Sequence, residues 1–145
     1  MRNGKIMGAA LALALGSTAF AQPPEGAAPD GLGGFFFRAQ DPEALGTWYF
    51  ENFGILGAPT SYDELPWMQD AGPTVFDAFP ADTTYFAADK SFMLNFRTQD
   101  LDGLVAHLQA NGVEVTVDET VYPNGRFAQL VDPEGNPIQL WQPAE

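Results

Sequence analysis

The five residues Phe37-Arg38-Ala39-Gln40-Asp41 return as Phe96-Arg97-Thr98-Gln99-Asp100, an offset of 59 residues. Leu45 and Leu104 keep that offset, as do Asn52 and Asn111. After a slip of one residue, Gly54-Ile55 answers Gly112-Val113. The spacing exceeds the period of roughly 20–50 residues typical of solenoids. It also occurs only twice, so the pattern predicts duplication of one supersecondary unit rather than an array.

Each copy opens on a short apolar stretch, residues 35–38 and 92–97, rich in strand formers. Asp41 and Asp100 then fit helix N-caps, with Pro42 at the first helical position of copy one. In copy two Leu101, Leu104, Val105 and Leu108 recur at helical spacing before Asn111-Gly112 ends the run. Copy one sets Leu45, Trp48, Tyr49 and Phe53 on a similar stripe. Further strands are expected at residues 113–117, 126–131 and 137–141, the last two joined by the turn sequence Asp132-Pro133-Glu134-Gly135-Asn136. Residues 61–62, 67–69 and 74–79 are the weaker counterparts in copy one, with Ala71-Gly72 as a turn. The reading is an α+β fold of two tandem βαβββ modules, whose curved mixed sheet leaves a concave face for a ligand.

Composition narrows the function. With 12 Phe, 3 Trp and 4 Tyr in 145 residues, the chain is too aromatic for an acidic disordered protein and long enough for one domain. Nineteen acids against six bases repel a phosphate backbone, which excludes nucleic acid as partner. The absence of cysteine excludes disulfides, thiolate metal sites and a cysteine nucleophile. A single histidine, His107, excludes the two- and three-histidine zinc sites and leaves a histidine triad unsupported. It lies beside the apolar stripe and reads as a surface or boundary residue.

The N-terminus reads as an address. Arg2 and Lys5 precede an apolar run over residues 6–15, and Ala19-Phe20-Ala21 supplies the small residues of a cleavage site. That run is half the length of about 20 residues that a spanning helix needs, so a cleaved signal over 1–21 is expected and no stable membrane anchor. Cleavage leaves 124 residues with 4 bases against 19 acids, destined for the periplasm or the exterior. Residues 22–34, with three prolines and four glycines, read as a flexible leader, and the domain is expected over 35–143.

The stretches FFFRAQDPEALGTWYFENFGI, FRTQDLDGLVAHLQANGVEV and above all DPEGNPIQLW resemble the vicinal oxygen chelate superfamily, the group of glyoxalases, bleomycin-resistance proteins and extradiol dioxygenases. The similarity spans roughly residues 33–143. It implies paired βαβββ modules around a cavity, often within a dimer, so a homodimer joins the small-molecule ligand among the expected partners. Chelating members hold a divalent metal with His, Gln and Glu side chains on inner strands. The corresponding positions here are Gly34, Met93 and Gln139, with Asp77 as the charged candidate on the fourth strand. Glycine has no side-chain donor and a thioether is a poor ligand for hard ions. No cofactor is therefore expected, a divalent metal held by Asp77 and Gln139 being the runner-up.

Strand alternation then sets Phe36 and Arg38 on one face, Asn95 and Arg97 on the matching face of copy two, and Gln139 and Trp141 beside them. Two related arginines in so acidic a chain suggest either ion pairing, with Asp41 or Asp100, or recognition of an anionic ligand. The loop around Tyr85 is placed to cap the cavity. The leading expectation is a secreted or periplasmic small-molecule binder without the family metal, its substrate-binding residues being Phe36, Arg38, Asn95, Arg97, Gln139 and Trp141. A metal-dependent lyase or isomerase with an atypical ligand set is the alternative, so whether the chain is an enzyme stays open. A non-catalytic interaction module is the third reading.

Overall fold

A computed structural model describes residues 22–24 and 26–145. The expected signal over 1–21 lies outside the described residues. The chain divides into two units, Met1–Phe36 and Phe37–Glu145. The described part of the first contains no helix or strand. All regular elements described belong to the second, and none of its helices is long and apolar enough to cross a membrane.

Two helices form where the repeat places them: α1 (Pro42–Phe53) and α2 (Leu101–Ala110). Their starts keep the 59-residue offset because each is fixed by the same device. The Asp41 carboxylate accepts from Ala44 N, and the Asp100 carboxylate from Gly103 N. Each bond satisfies one main-chain donor that a helix N-terminus leaves without a partner. Two further acceptors reach in from the C-terminal part of the chain. Glu134 takes the N–H groups of Gln40 and Asp41, and Gln142 Oε1 takes that of Leu101.

The sheet comprises β1 (Leu94–Arg97), β2 (Thr116–Val117), β3 (Gly125–Val131) and β4 (Pro137–Pro143), in the order β1-β4-β3-β2. β1 runs parallel to β4 and the other pairs are antiparallel, giving a mixed sheet. The two helices cover one face. Leu45, Tyr49, Leu101, Val105 and Leu108 pack there on Ala128, Leu130, Ile138 and Leu140. Burial of these apolar side chains is the main source of stability.

Copy two is thus a complete β-α-β-β-β unit. In copy one only the helix forms. Residues 35–38, 61–62, 67–69 and 74–79 carry no strand, which corrects the expectation for these segments. Pro59, Pro66, Pro73 and Pro80 flank the last three of these segments, and each lacks the N–H that would carry a ladder past it. Tyr62, Leu65, Met68, Val75 and Phe76 are correspondingly exposed.

The turn between β3 and β4 is the best-fastened part of the unit. Asp132, 3% exposed, accepts from Tyr49 Oη at 2.8 Å, from Asn136 N and Nδ2, and from Glu134 N. Burial and the Asp132 carboxylate together drive the Tyr49 hydroxyl pKa far above its ordinary value. Lys90 Nζ adds a bond to Glu134 O.

Candidate functional site

Since the helices occupy one face of the sheet, every second strand residue points to the other. Register then builds that face in rows. One row runs Asn95, Gln139, Gln129, Thr116, and the next runs Arg97, Trp141, Phe127. The first is polar, the second a guanidinium followed by aromatic rings.

The polar row is wired in one direction. Asn95 Nδ2 donates to Gln139 Oε1 at 2.7 Å, and Gln139 Nε2 donates to Tyr85 Oη at 2.7 Å. Gln139 is 6% exposed, so both ends of its amide are engaged inside the fold. The chain leaves Asn95 Oδ1 as an acceptor at one end and the Tyr85 O–H as a donor at the other. That bond brings the loop carrying Tyr85 to this face.

The second row is a shelf of rings. Phe127 and Trp141 lie parallel, centroids 6.3 Å apart at 6°, and Tyr122 meets Phe127 edge-on at 5.8 Å. Trp141 Nε1 donates to Asn124 O at 2.7 Å, which fixes the indole. Gly125 makes this approach feasible. At φ +128° it adopts a conformation open to glycine, and a Cβ there would strike Gln142 O and the indole nitrogen. Tyr122 Oη in turn donates to Asp118 Oδ2. The Asp118 carboxylate also accepts from Thr120 N, and these bonds hold its pKa below the ordinary aspartate value.

Asn95, Arg97, Gln139 and Trp141 therefore stand together. Phe36 falls in the other unit and is 90% exposed. Arg38 is exposed on backbone that is not a strand, so alternation assigns it no side. The expected carboxylate partners of the arginines, Asp41 and Asp100, are occupied as helix caps. The ion pair forms instead between Arg126 and Asp102 at 2.7 Å, a two-pronged contact that lowers the Asp102 pKa. Arg97 donates to the main-chain oxygens of Asp70 and Ala71.

Phe127 and Gln129 were not picked out from the sequence. Their alternation along the strand expected at 126–131, set against Gln139 and Trp141 across the turn, is the signal that finds them. His107 is exposed, its Nε2 3.1 Å from Glu51 O and 3.3 Å from Asn111 Nδ2, between the helices rather than on the sheet.

The family's metal positions do not fit a divalent ion. Gly34 and Met93 offer no oxygen or nitrogen side-chain donor, and Gln139 already spends its Oε1 on Asn95. Asp77 is exposed with a carboxylate oxygen on Ala78 N. Among the described residues no three His, Asp or Glu side chains gather as a metal site would require.

The glyoxalase-like domain family matches residues 34–141. An antibiotic-binding protein, TnmS3 from Streptomyces sp. CB03234, is 31% identical over 72% of this chain and 88% of its own, with a TM-score of 0.47. A glyoxalase/bleomycin resistance protein from the same organism is 43% identical over 36% of this chain and 46% of its own, TM-score 0.32. A glyoxalase/dioxygenase from Nostoc punctiforme is 21% identical over 45% and 43%, TM-score 0.35. No curated protein matches the chain.

Proposed function

The chain belongs to the glyoxalase-like domain family of the vicinal oxygen chelate superfamily, and on that premise we propose that it binds a small aromatic molecule on the sheet face without a divalent metal. The observation that carries the reading is the pair of rows described above. A fixed ring shelf, Trp141 and Phe127, lies alongside a directed polar chain ending in Asn95 Oδ1 and the Tyr85 hydroxyl. Ligand sites combine these parts, apolar area for affinity and a few oriented polar groups for selection. Arg97 in the ring row adds a positive charge, so the ligand is a small aromatic anion.

The same reading takes the chain as a duplication of one ancestral unit whose first copy keeps the helix without the strands, supported by the matched caps Asp41 and Asp100. It also takes residues 1–21 as an export signal, so that the mature protein works in the periplasm or outside the cell. A second copy of the chain is its expected protein partner.

Calorimetric titration of the purified protein with a panel of aromatic acids and their neutral amides tests the proposal. An acid that binds, with affinity reduced about tenfold or more by Phe127→Ala, is the expected result. Binding that ignores Phe127, or no binding by any compound, contradicts it. A stoichiometric divalent ion in the purified protein together with turnover would replace it by the metal-dependent lyase or isomerase reading.

A further inference from the structure

Arg97 sits on β1, the edge strand of the sheet, half-buried and next to Trp141 in register. Its polar partners are two neutral oxygens of one short segment. Nη2 donates to Asp70 O at 2.8 Å, and Nη1 reaches Ala71 O at 3.5 Å. The second contact is at the limit of a hydrogen bond. Among the described residues the ion pair formed is that of Arg126 and Asp102, so Arg97 has no carboxylate partner in a chain with 19 acids. Asp70 itself presents its carbonyl rather than its carboxylate. Gly72 permits this closeness, because a Cβ there would overlap the Arg97 guanidinium.

We infer that residues 70–72 form a strap that occupies Arg97, and that the carboxylate of an aromatic acid takes the guanidinium from it. The inference rests on the reading of the Arg97–Trp141–Phe127 row as the ligand face. A carboxylate brings two oxygens at the spacing of the guanidinium fork and a full negative charge. The two carbonyls carry no net charge, so only the carboxylate adds opposite charge to a two-pronged fit on the fork. The strap holds the fork on residues 70–72 but yields to an anion. Binding and strap release are then one equilibrium, and the apparent affinity is lowered by whatever fraction of molecules keep the strap closed. A neutral ring compound gains nothing by displacing the strap, so the device selects acids over their amides.

Gly72→Ala separates the strap from the ligand face. The added methyl meets the far end of a flexible side chain, so the guanidinium swings away and the fold is retained. The probes are 2-naphthoate and 2-naphthamide, with calorimetry for affinity and chymotrypsin cleavage between Trp67 and Phe76 for strap release. In the wild type, naphthoate binds and speeds cleavage about threefold, while the amide does neither. Gly72→Ala binds naphthoate about fivefold more tightly and is cut faster with no probe present, and Arg97→Gln loses the preference for the acid. Wild-type affinity and cleavage in Gly72→Ala overturn the strap, and the ligand face survives if Arg97→Gln still weakens naphthoate. No naphthoate binding in any form overturns the strap and the ligand face together.

Discussion

Asn111 donates from Nδ2 to Oδ1 of Asn52 across 3.1 Å, and these are the asparagines that the 59-residue offset sets equal. Corresponding positions of the two helices therefore touch each other. Asn52 is buried and also donates from its own Nδ2 to Trp48 O. It needs both an acceptor and a donor in one amide, a demand that no carboxylate meets.

Asn52→Asp replaces that donor with a charge. Stability at neutral pH is expected to fall by about 1–3 kcal/mol in urea unfolding. A buried carboxyl is easier to hold when protonated, so its folded-state pKa is raised and the loss shrinks toward acid pH. A deficit that is constant from pH 4 to pH 8 would show that burial at this contact is not what the substitution disturbs.

Tyr49→Phe removes one of the donors on buried Asp132 and is expected to cost about 1–3 kcal/mol. The Tyr49 pKa is raised in the fold, chiefly by burial and then by Asp132. Its contribution is accordingly complete below the ordinary tyrosine range. It is lost as pH climbs above that range, because the unfolded chain ionises first. The difference between wild type and Tyr49→Phe should thus narrow in alkaline urea titrations.

Gly125→Ala drives a methyl into Gln142 O, a main-chain atom with nowhere to go, at a φ that side chains rarely adopt. A loss of about 2–4 kcal/mol is expected, with a change in Trp141 fluorescence as the bond to Asn124 O breaks. Gly72→Ala, whose obstacle is a movable side-chain tip, should cost far less in a thermal melt run on both variants.

Asp118 holds the Tyr122 edge of the ring shelf. Its lowered pKa comes first from Thr120 N and then from the Tyr122 hydroxyl. The support it gives is present above the ordinary aspartate pKa and disappears as pH falls through the lowered value. A carboxyl NMR titration should place its midpoint below that of a free aspartate, and Tyr122→Phe should move it upward.

The helices were legible because a cap, a stripe and a stop are local signals. Asp41 and Asp100 announce their starts within four residues, and the apolar spacing does the rest. β3 and β4 were legible because a turn sequence separates two alternating runs. The copy-one strands were misread for the opposite reason. Runs such as residues 74–79 have strand composition, but a strand needs a neighbour, and four prolines weigh against one. Asn95, Arg97, Gln139 and Trp141 followed from alternation once their strands existed, whereas Phe36 and Arg38 depended on a strand that does not form. The bonds from Arg97 to residues 70–71 and from Tyr49 to Asp132 join distant parts of the chain, and no local pattern encodes them.

The turn Asp132-Pro133-Glu134-Gly135-Asn136 is the stretch by which the chain is most readily recognised, and its atoms are spent on fastening. Asp132 locks Tyr49 and Asn136, while Glu134 grips the start of α1. None of these contacts faces the ring shelf. Kinship detected through this stretch therefore certifies a chassis and is blind to the cargo it carries, which changes in the opposite layer of the sheet can exchange while the signature stays intact.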